Sequence, residues 1–158
     1  MTLKIAVAQI DATVGDFAGN VEKILSFGRR AEEERGTDLV LFPELAVCGY
    51  PPKDLLERRA FVDEGERANA RIAEASGSAV WLFGSIERNR ARSGRDVFNV
   101  AIAARNGRIS AVYRKRLLPT YDVFDEGRYF EPGKKPLVLR IRGKRVGVTV
   151  CEDIWNDK

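Results

Sequence analysis

A chain of 158 residues with 44% hydrophobic and 32% charged side chains is long enough for one domain with a hydrophobic core. Its formal charge of +4 comes from basic residues scattered along the chain, so we expect no nucleic-acid partner. No apolar run approaches the roughly 20 residues of a membrane helix, and two cysteines without any histidine exclude a disulfide framework and argue against a zinc site.

The first residues, MTLKIAVAQID, lack the long apolar core and small-residue cleavage site of a secretory signal. The two cysteines, Cys48 and Cys151, do not form a Cys-x-x-Cys pair. We therefore expect a cytoplasmic protein with no membrane partner.

The chain opens with a strand-like and then a helix-like segment. Residues 4–10, KIAVAQI, predict a short buried strand, and residues 20–36 carry an apolar stripe at helical spacing. Asn20 is the expected N-cap of this helix, and Gly36 is the expected residue just after its C-terminus.

A second strand and a second helix follow. Residues 38–44, DLVLFPE, predict a buried strand that Pro43 ends, and residues 53–75 predict a helix. The order β-α-β-α predicts parallel neighbouring strands covered by helices.

The second half of the chain is dominated by strand signals. Residues 79–88 and 96–105 predict two strands, and Asn106-Gly107 joins the second of them to a strand over 108–115, because this dipeptide favours a tight hairpin turn. Residues 116–136 predict a loop.

A closing hairpin is predicted over residues 137–150. Its run RVGVTV is typical of a strand buried on both faces, which a covering helix and more sheet should follow. We therefore expect one α/β unit with a mixed sheet, truncated within its domain.

Three chemically distinctive side chains come at the ends of predicted strands, namely Glu44, Lys115 and Cys151. Each alone has a structural explanation: a solvated acid, a solvated lysine and an inert buried cysteine. Because the chain has no histidine, a nucleophilic cysteine would need a carboxylate as its base and a lysine as its electrostatic partner. The three form one site only if the fold brings these strand ends together.

Three segments resemble motifs of the nitrilase, or carbon–nitrogen hydrolase, superfamily. FPELAVCGYPPKDLL is similar to its glutamate motif, VYRKRLLPTYDVFDEGRYFEPG to its lysine motif and VGVTVCEDIW to its cysteine motif, in the family's order. The variants GYPPKDLL and LPTYDVFDEGRYF resemble, more narrowly, the glutaminase domains of glutamine-dependent NAD synthetases. The resemblance covers the whole chain.

The resemblance implies an α-β-β-α sandwich and a Glu-Lys-Cys triad. Glu44 would be the general base, Lys115 the cation that stabilises the oxyanion, and Cys151 the nucleophile. Glu126 matches a second, auxiliary glutamate of many members.

The resemblance also implies two substrate contacts and one cysteine without a catalytic role. Tyr121 and Glu152 match positions that hold the two ends of glutamine, although a core aromatic and a flanking acid are equally ordinary explanations. Cys48 falls where the family tolerates small residues, so we interpret it as a packing residue.

The implied function is glutamine hydrolysis that supplies ammonia to a synthetase domain, which uses ATP and magnesium to amidate nicotinic acid adenine dinucleotide. The chain has no Gly-rich phosphate loop, so we predict that it lacks the synthetase domain and has no cofactor of its own. A complete domain of the resembling family runs well past Lys158, which implies that residues 1–158 are the N-terminal part of a single glutaminase domain. A homo-oligomer is implied as well.

Two alternatives remain open from the sequence. The chain could be a stand-alone amidase acting on another small amide. The narrower motifs separate a synthetase from other members of the superfamily less sharply than the triad separates the superfamily from other proteins. It could also be a non-catalytic chain that acts only by association, because an incomplete sandwich leaves apolar faces uncovered.

Overall fold

The structure is a computed structural model that describes residues 2–122 and 124–155, without the side chains of residues 34 and 35. A mixed five-stranded sheet runs in the order β1 (Ile5–Val7), β2 (Leu39–Leu41), β3 (Val80–Arg88), β4 (Val97–Arg105) and β5 (Arg108–Arg114). The first three strands are parallel to one another, and β4 and β5 continue the sheet antiparallel. The predicted α/β unit with a mixed sheet is confirmed.

Two helices, α1 (Phe17–Arg35) and α2 (Arg59–Ala75), cover one face of this sheet. Their apolar stripes pack on inward-facing strand residues, as the helical spacing predicts. Gly28 of α1 permits the closest approach, because a Cβ there would lie 2.4 Å from the Trp81 ring. Among the described residues, no helix combines the length and the apolar character that a membrane span requires.

The predicted N-cap of α1 is wrong. The helix begins at Phe17, and the Asp16 carboxylate caps it by accepting a hydrogen bond from the N–H of Gly19 at 2.9 Å. Asn20 is fully buried, and its amide instead binds the backbone of Thr13 and the carbonyl of Val47. The Asn20 side chain therefore ties two loops to the helix, a role that the spacing of apolar residues does not predict.

The ends of the helices show one confirmed prediction and one correction. Gly36 takes the left-handed conformation after α1, with φ +55°, as expected. The segment 53–75 is two elements, a 3₁₀ helix over Lys53–Glu57 and then α2, because Arg58 between them adopts an extended backbone.

The connections of the second half follow the turn signals. Asn106 and Gly107 both have positive φ, at +53° and +76°, and join β4 to β5 as predicted. The segment predicted as a loop contains one short helix, α3 (Glu126–Tyr129).

A hairpin of β6 (Leu137–Ile141) and β7 (Lys144–Val148) packs on the other face of the five-stranded sheet. The described residues therefore form three layers: helices, sheet and hairpin. The prediction that the last strand is buried on both faces is wrong, because only one side of β7 faces the sheet and the alternate residues are exposed.

The strand β1 is at the edge of the sheet, and its predicted burial is also wrong. Ile5 and Val7 are 51% and 70% exposed, and Leu41, which pairs with Val7, is 37% exposed. These three residues lie beyond the area that the hairpin covers on the same sheet face. We call Ile5, Val7 and Leu41 the open patch.

Candidate active site

The first predicted site residue, Glu44, lies in a tight turn after β2. Leu45 has φ +49°, and the turn is bound to β3 by a hydrogen bond of 3.2 Å from the Gly84 N–H to the Pro43 carbonyl. A Cβ at Gly84 would lie 2.4 Å from the Leu45 nitrogen, so a glycine in mid-strand is what permits this approach.

Lys115 follows β5 directly, and its side chain is 0% exposed. Its N–H donates to the Asn99 carbonyl at 2.9 Å, and its carbonyl accepts from the Gly133 N–H at 2.7 Å. Backbone contacts on both sides therefore fix the point from which this side chain enters the interior.

Cys151 begins a 3₁₀ helix, Cys151–Ile154, just beyond β7. Its φ of +45° is unfavourable for a residue with a Cβ, and its side chain is exposed. Asp153 holds this turn with four hydrogen bonds of 2.7–3.0 Å, which it accepts from the Tyr113 hydroxyl and the N–H groups of Arg116, Leu117 and Val150. The cysteine turn is thereby bound to the chain around Lys115.

The ammonium of Lys115 lies between two acids. Its Nζ donates to Glu44 Oε1 at 2.8 Å and to Glu126 Oε2 at 2.7 Å. Two neutral groups complete the cluster: Asn99 Nδ2 donates to Glu44 Oε1 at 2.7 Å, and the Tyr50 hydroxyl donates to Glu126 Oε1 at 3.2 Å. The structure therefore brings Glu44, Lys115 and Glu126 into direct contact.

Burial and neighbouring opposite charges have opposing effects on the pKa values of Lys115 and Glu126. Burial lowers the pKa of Lys115, but the hydrogen bonds to Glu126 and Glu44 outweigh it and leave that pKa raised. Burial raises the pKa of Glu126, and the neighbouring Lys115 ammonium only partly offsets this. The lysine is thus held as a cation, and Glu126 retains its proton to higher pH than an ordinary glutamate.

Cys151 and Glu44 line one cavity of about 200 Å³, together with Gly84 and Thr149. Partial burial and the charges of Glu44 and Glu126 raise the pKa of Cys151, against the lowering effect of Lys115. The resting group is therefore a thiol, which needs a base before it can act as a nucleophile.

Tyr121 and Glu152 are also brought together. The Tyr121 hydroxyl donates to Glu152 Oε2 at 2.7 Å, and this hydrogen bond raises the pKa of Tyr121. Since Glu152 follows Cys151 in the chain and Tyr121 is exposed, the pair lies at the solvent side of the cysteine turn.

Cys48 lies in the core. Its side chain is fully buried, with Sγ near the carbonyls of Leu45 and Gly49, and burial raises its pKa to about 12. A thiol so protected is inert, which agrees with its interpretation as a packing residue.

Three residues of the site were not anticipated from the sequence: Asn99 and Tyr50 of the cluster, and Asp153 of the cysteine turn. A signal existed for Asn99, which is a lone amide inside the apolar run VFNVAIAA. Tyr50 and Asp153 stand within the first and third motifs, but nothing in their spacing indicates which groups they bind.

The mixed sheet and its covering layers have the arrangement of a carbon–nitrogen hydrolase fold, and the buried lysine between two acids lies beside the cavity that Glu44 shares with Cys151. The chain belongs to the carbon–nitrogen hydrolase family, whose model matches residues 4–158. The predicted family is thereby confirmed.

Among individual proteins, the chain is 44% identical over 156 residues to the glutamine-dependent NAD(+) synthetase of Thermotoga maritima, covering 98% of this chain and 26% of that protein. Its structure is similar to that of glutamine-dependent NAD+ synthetase from Acinetobacter baumannii in complex with ADP, with a TM-score of 0.88 and 36% identity over 97% of this chain and 28% of that chain. The chain therefore spans little more than a quarter of the synthetases it matches.

A second structural neighbour is an amidase from Nesterenkonia sp. AN1. A mutant that shows Michael addition of acrylamide at the active site cysteine matches with a TM-score of 0.74 and 25% identity, over 97% of this chain and 59% of that one. Since that amidase belongs to the nitrilase superfamily, the predicted nitrilase-like fold is confirmed.

Proposed function

We propose that this chain carries the catalytic residues of a glutaminase, which hydrolyses the side-chain amide of glutamine to supply ammonia for NAD biosynthesis. The observation that carries this proposal is the buried Lys115, held between Glu44 and Glu126 beside a cavity that Glu44 shares with Cys151. Likeness to NAD synthetases over almost the whole chain supports glutamine as the substrate.

In the first half of the reaction, Glu44 takes the proton of the Cys151 thiol, and Sγ attacks the amide carbon. The Lys115 ammonium stabilises the negative charge that develops on the amide oxygen. The C–N bond then breaks, the nitrogen takes the proton from Glu44 and leaves as ammonia, and a thioester remains on Cys151.

In the second half, a water molecule attacks the thioester and gives one proton to Glu44. The C–S bond breaks, the sulfur regains the proton, and glutamate is released. Glu126 would hold Lys115 in place through both halves, since its carboxylate accepts the second hydrogen bond of the ammonium.

Substrate orientation is assigned to Tyr121 and Glu152. A carboxylate next to the nucleophile suits the positively charged α-amino group of glutamine, and a phenol can bind either polar end of the substrate. The hydrogen bond between them keeps both groups on the same side of the cysteine turn.

We infer that residues 1–158 are the N-terminal part of a single glutaminase domain. The ammonia that this domain releases would be used by a synthetase domain that lies outside residues 1–158. The relatives extend far beyond the matched region, which supports this division. ATP and magnesium would act in that other domain, and no residue described here is assigned to them. A cytoplasmic homo-oligomer remains the expected state.

The first prediction concerns the nucleophile. In the full natural polypeptide that carries this chain, Cys151→Ala should reduce ammonia release from glutamine by at least about 10⁴-fold, because no thioester can form. Cys48→Ala is the matched control: it removes a buried thiol and should keep turnover within about threefold once the folded fraction is measured.

Ammonia release that survives Cys151→Ala would exclude Cys151 as the nucleophile. A parallel experiment labels the protein with acrylamide and locates the adduct by mass spectrometry, and we expect it on Cys151 and not on the buried Cys48. Labelling of both cysteines to the same extent would show that Cys151 is not selectively activated.

A second candidate function is hydrolysis of another small amide, which the likeness to the Nesterenkonia amidase favours. Comparing kcat/KM for glutamine and acetamide separates the two. Preference for glutamine that disappears in Glu152→Gln supports the glutaminase, whereas equal or greater activity on acetamide in the unaltered protein supports the stand-alone amidase.

A further inference from the structure

Asn99 of β4 is 1% exposed and touches two of the residues assigned to catalysis. Its Nδ2 donates to Glu44 Oε1 at 2.7 Å, and its carbonyl accepts the Lys115 N–H at 2.9 Å. One residue therefore contacts both the assigned base and the backbone that carries the assigned cation.

The two donors on Glu44 converge on a single oxygen. Asn99 Nδ2 and Lys115 Nζ both bind Oε1, whereas no hydrogen bond to Oε2 is found within residues 2–122 and 124–155. A carboxylate held by one oxygen has a fixed plane and leaves its other oxygen available to accept a proton.

The orientation of the Asn99 amide follows from the same contacts. The Glu44 Oε1 atom already accepts a hydrogen bond from the Lys115 ammonium, so the Asn99 group that faces this oxygen is the amide nitrogen, which donates. The Asn99 oxygen is then left buried with no hydrogen-bond partner in the described part of the chain.

This arrangement is unfavourable for stability alone. A buried amide oxygen without a partner costs folding free energy, and an apolar residue would suit the run VFNVAIAA better. This cost indicates that the hydrogen bond from Asn99 Nδ2 to Glu44 has a role other than stabilising the fold.

We propose that Asn99 is a positioning residue, which fixes Oε1 of Glu44 so that Oε2 is the oxygen that takes the Cys151 proton. This inference rests on the proposed function in assigning Glu44 as the base. Asn99 itself does not touch the reacting atoms: it acts through Glu44, and it aligns Lys115 through the backbone.

The test compares Asn99→Asp and Asn99→Ala in the full natural polypeptide. Asn99→Asp keeps the shape but replaces the donor with a carboxylate that faces Glu44, and Asn99→Ala removes the donor without adding charge. We expect kcat for ammonia release to fall by about 100-fold in Asn99→Asp and about tenfold or more in Asn99→Ala, with KM for glutamine within about threefold of its original value.

Asn69 provides the matched control. It is another buried asparagine whose amide donates to the Ile86 carbonyl at 3.0 Å and accepts from the Ser85 hydroxyl at 2.5 Å, with no contact to the cluster. Asn69→Ala should lower the melting temperature but leave kcat per folded molecule unchanged.

A second readout does not depend on glutamine as the substrate. With acetamide as the substrate, kcat per folded molecule should also fall about tenfold in Asn99→Ala and stay unchanged in Asn69→Ala, because Glu44 must take the thiol proton whichever amide is bound. If the unaltered protein hydrolyses acetamide but not glutamine, the proposed substrate is wrong while this comparison still tests the positioning role.

Two results would overturn the inference. Equal losses of kcat in Asn99→Ala and Asn69→Ala would make Asn99 a packing residue. A loss confined to KM would make it a substrate contact.

Discussion

Glu126 is a buried acid that shares the Lys115 ammonium with Glu44, and burial raises its pKa above the ordinary value of 4.5. The folded protein therefore binds this proton more tightly than the unfolded chain does. Ionising Glu126 consequently costs folding free energy as the pH rises from 4.5 through the raised value.

Glu126→Gln should separate stability from activity. The amide cannot ionise, so we expect the free energy of unfolding of the variant to fall less steeply than that of the unaltered protein as the pH rises above 4.5. Turnover should drop by about tenfold or more, because Lys115 loses a charged partner that holds it in place. Urea unfolding at several pH values and ammonia release measure the two effects.

The control for this change is Glu57→Gln, which neutralises an exposed glutamate of the 3₁₀ helix Lys53–Glu57. It should alter neither the pH dependence of unfolding nor turnover. If the free energy of unfolding depends on pH in the same way in Glu126→Gln and in the unaltered protein, the predicted tighter binding of the Glu126 proton in the folded state is contradicted.

At the residue scale, the sequence identifies chemically distinctive side chains but not the groups that support them. Glu44 and Lys115 stand out because a charge at the end of an apolar strand calls for an explanation. Asn99 and Tyr50 are neutral, and their significance comes from hydrogen bonds across 55 and 76 positions of the chain, which no local pattern specifies.

At the scale of elements, the cysteine turn depends on one carboxylate. Asp153 satisfies four donors, three of them backbone N–H groups at the ends of two different strands. These hydrogen bonds join the segment after β7 to the segment after β5, in addition to the apolar packing between the hairpin and the five-stranded sheet.

Asp153→Asn should loosen this junction. The amide keeps one acceptor but turns its NH₂ group toward donors, so we expect the free energy of unfolding to fall by about 2 kcal/mol. The rate of acrylamide addition to Cys151 should fall as well, because the turn no longer holds the thiol beside Glu44. Urea unfolding and mass spectrometry provide the measurements.

Asp11→Asn serves as the control for the lost charge, because Asp11 is exposed and lies before α1. It should leave both quantities unchanged. Unchanged stability and labelling in Asp153→Asn itself would show that the four hydrogen bonds do not hold the turn.

The elements themselves were largely predictable, because turn residues and apolar spacing are local signals. The Asn106-Gly107 hairpin and the stripe of α1 are examples. The break at Arg58 was not predictable, since neither glycine nor proline marks it, and the burial of Asn20 depends on a loop that is distant in sequence.

At the scale of the whole molecule, the open patch is the largest departure from expectation. A strand with an apolar sequence was predicted to be buried, yet strand burial depends on what covers the sheet face and not on the strand alone. Ile5 and Val7 place apolar surface on the edge strand β1, beside Leu41 of β2, and the exposed backbone groups of an edge strand also favour pairing with another chain.

Val7→Lys should therefore reduce self-association of the 158-residue chain. A charge at the patch opposes edge pairing and apolar contact, so we expect a lower weight-average mass in sedimentation experiments over a range of concentrations. Val138→Lys is the matched control, since Val138 is 47% exposed but lies on β6 away from the patch. Identical behaviour of the two variants would mean that the patch does not drive association.

The residues around Lys115 also have a fixed order of synthesis. Glu44, Asn99, Lys115 and Glu126 all leave the ribosome before Cys151, and at about 5–20 residues per second the delay between Lys115 and Cys151 is on the order of seconds. During that interval Glu126 is added and can pair with Lys115, while Cys151 is still absent from the chain. The cysteine turn can therefore form only after both acids and the lysine are present, and Asp153 must follow before the turn is held in place.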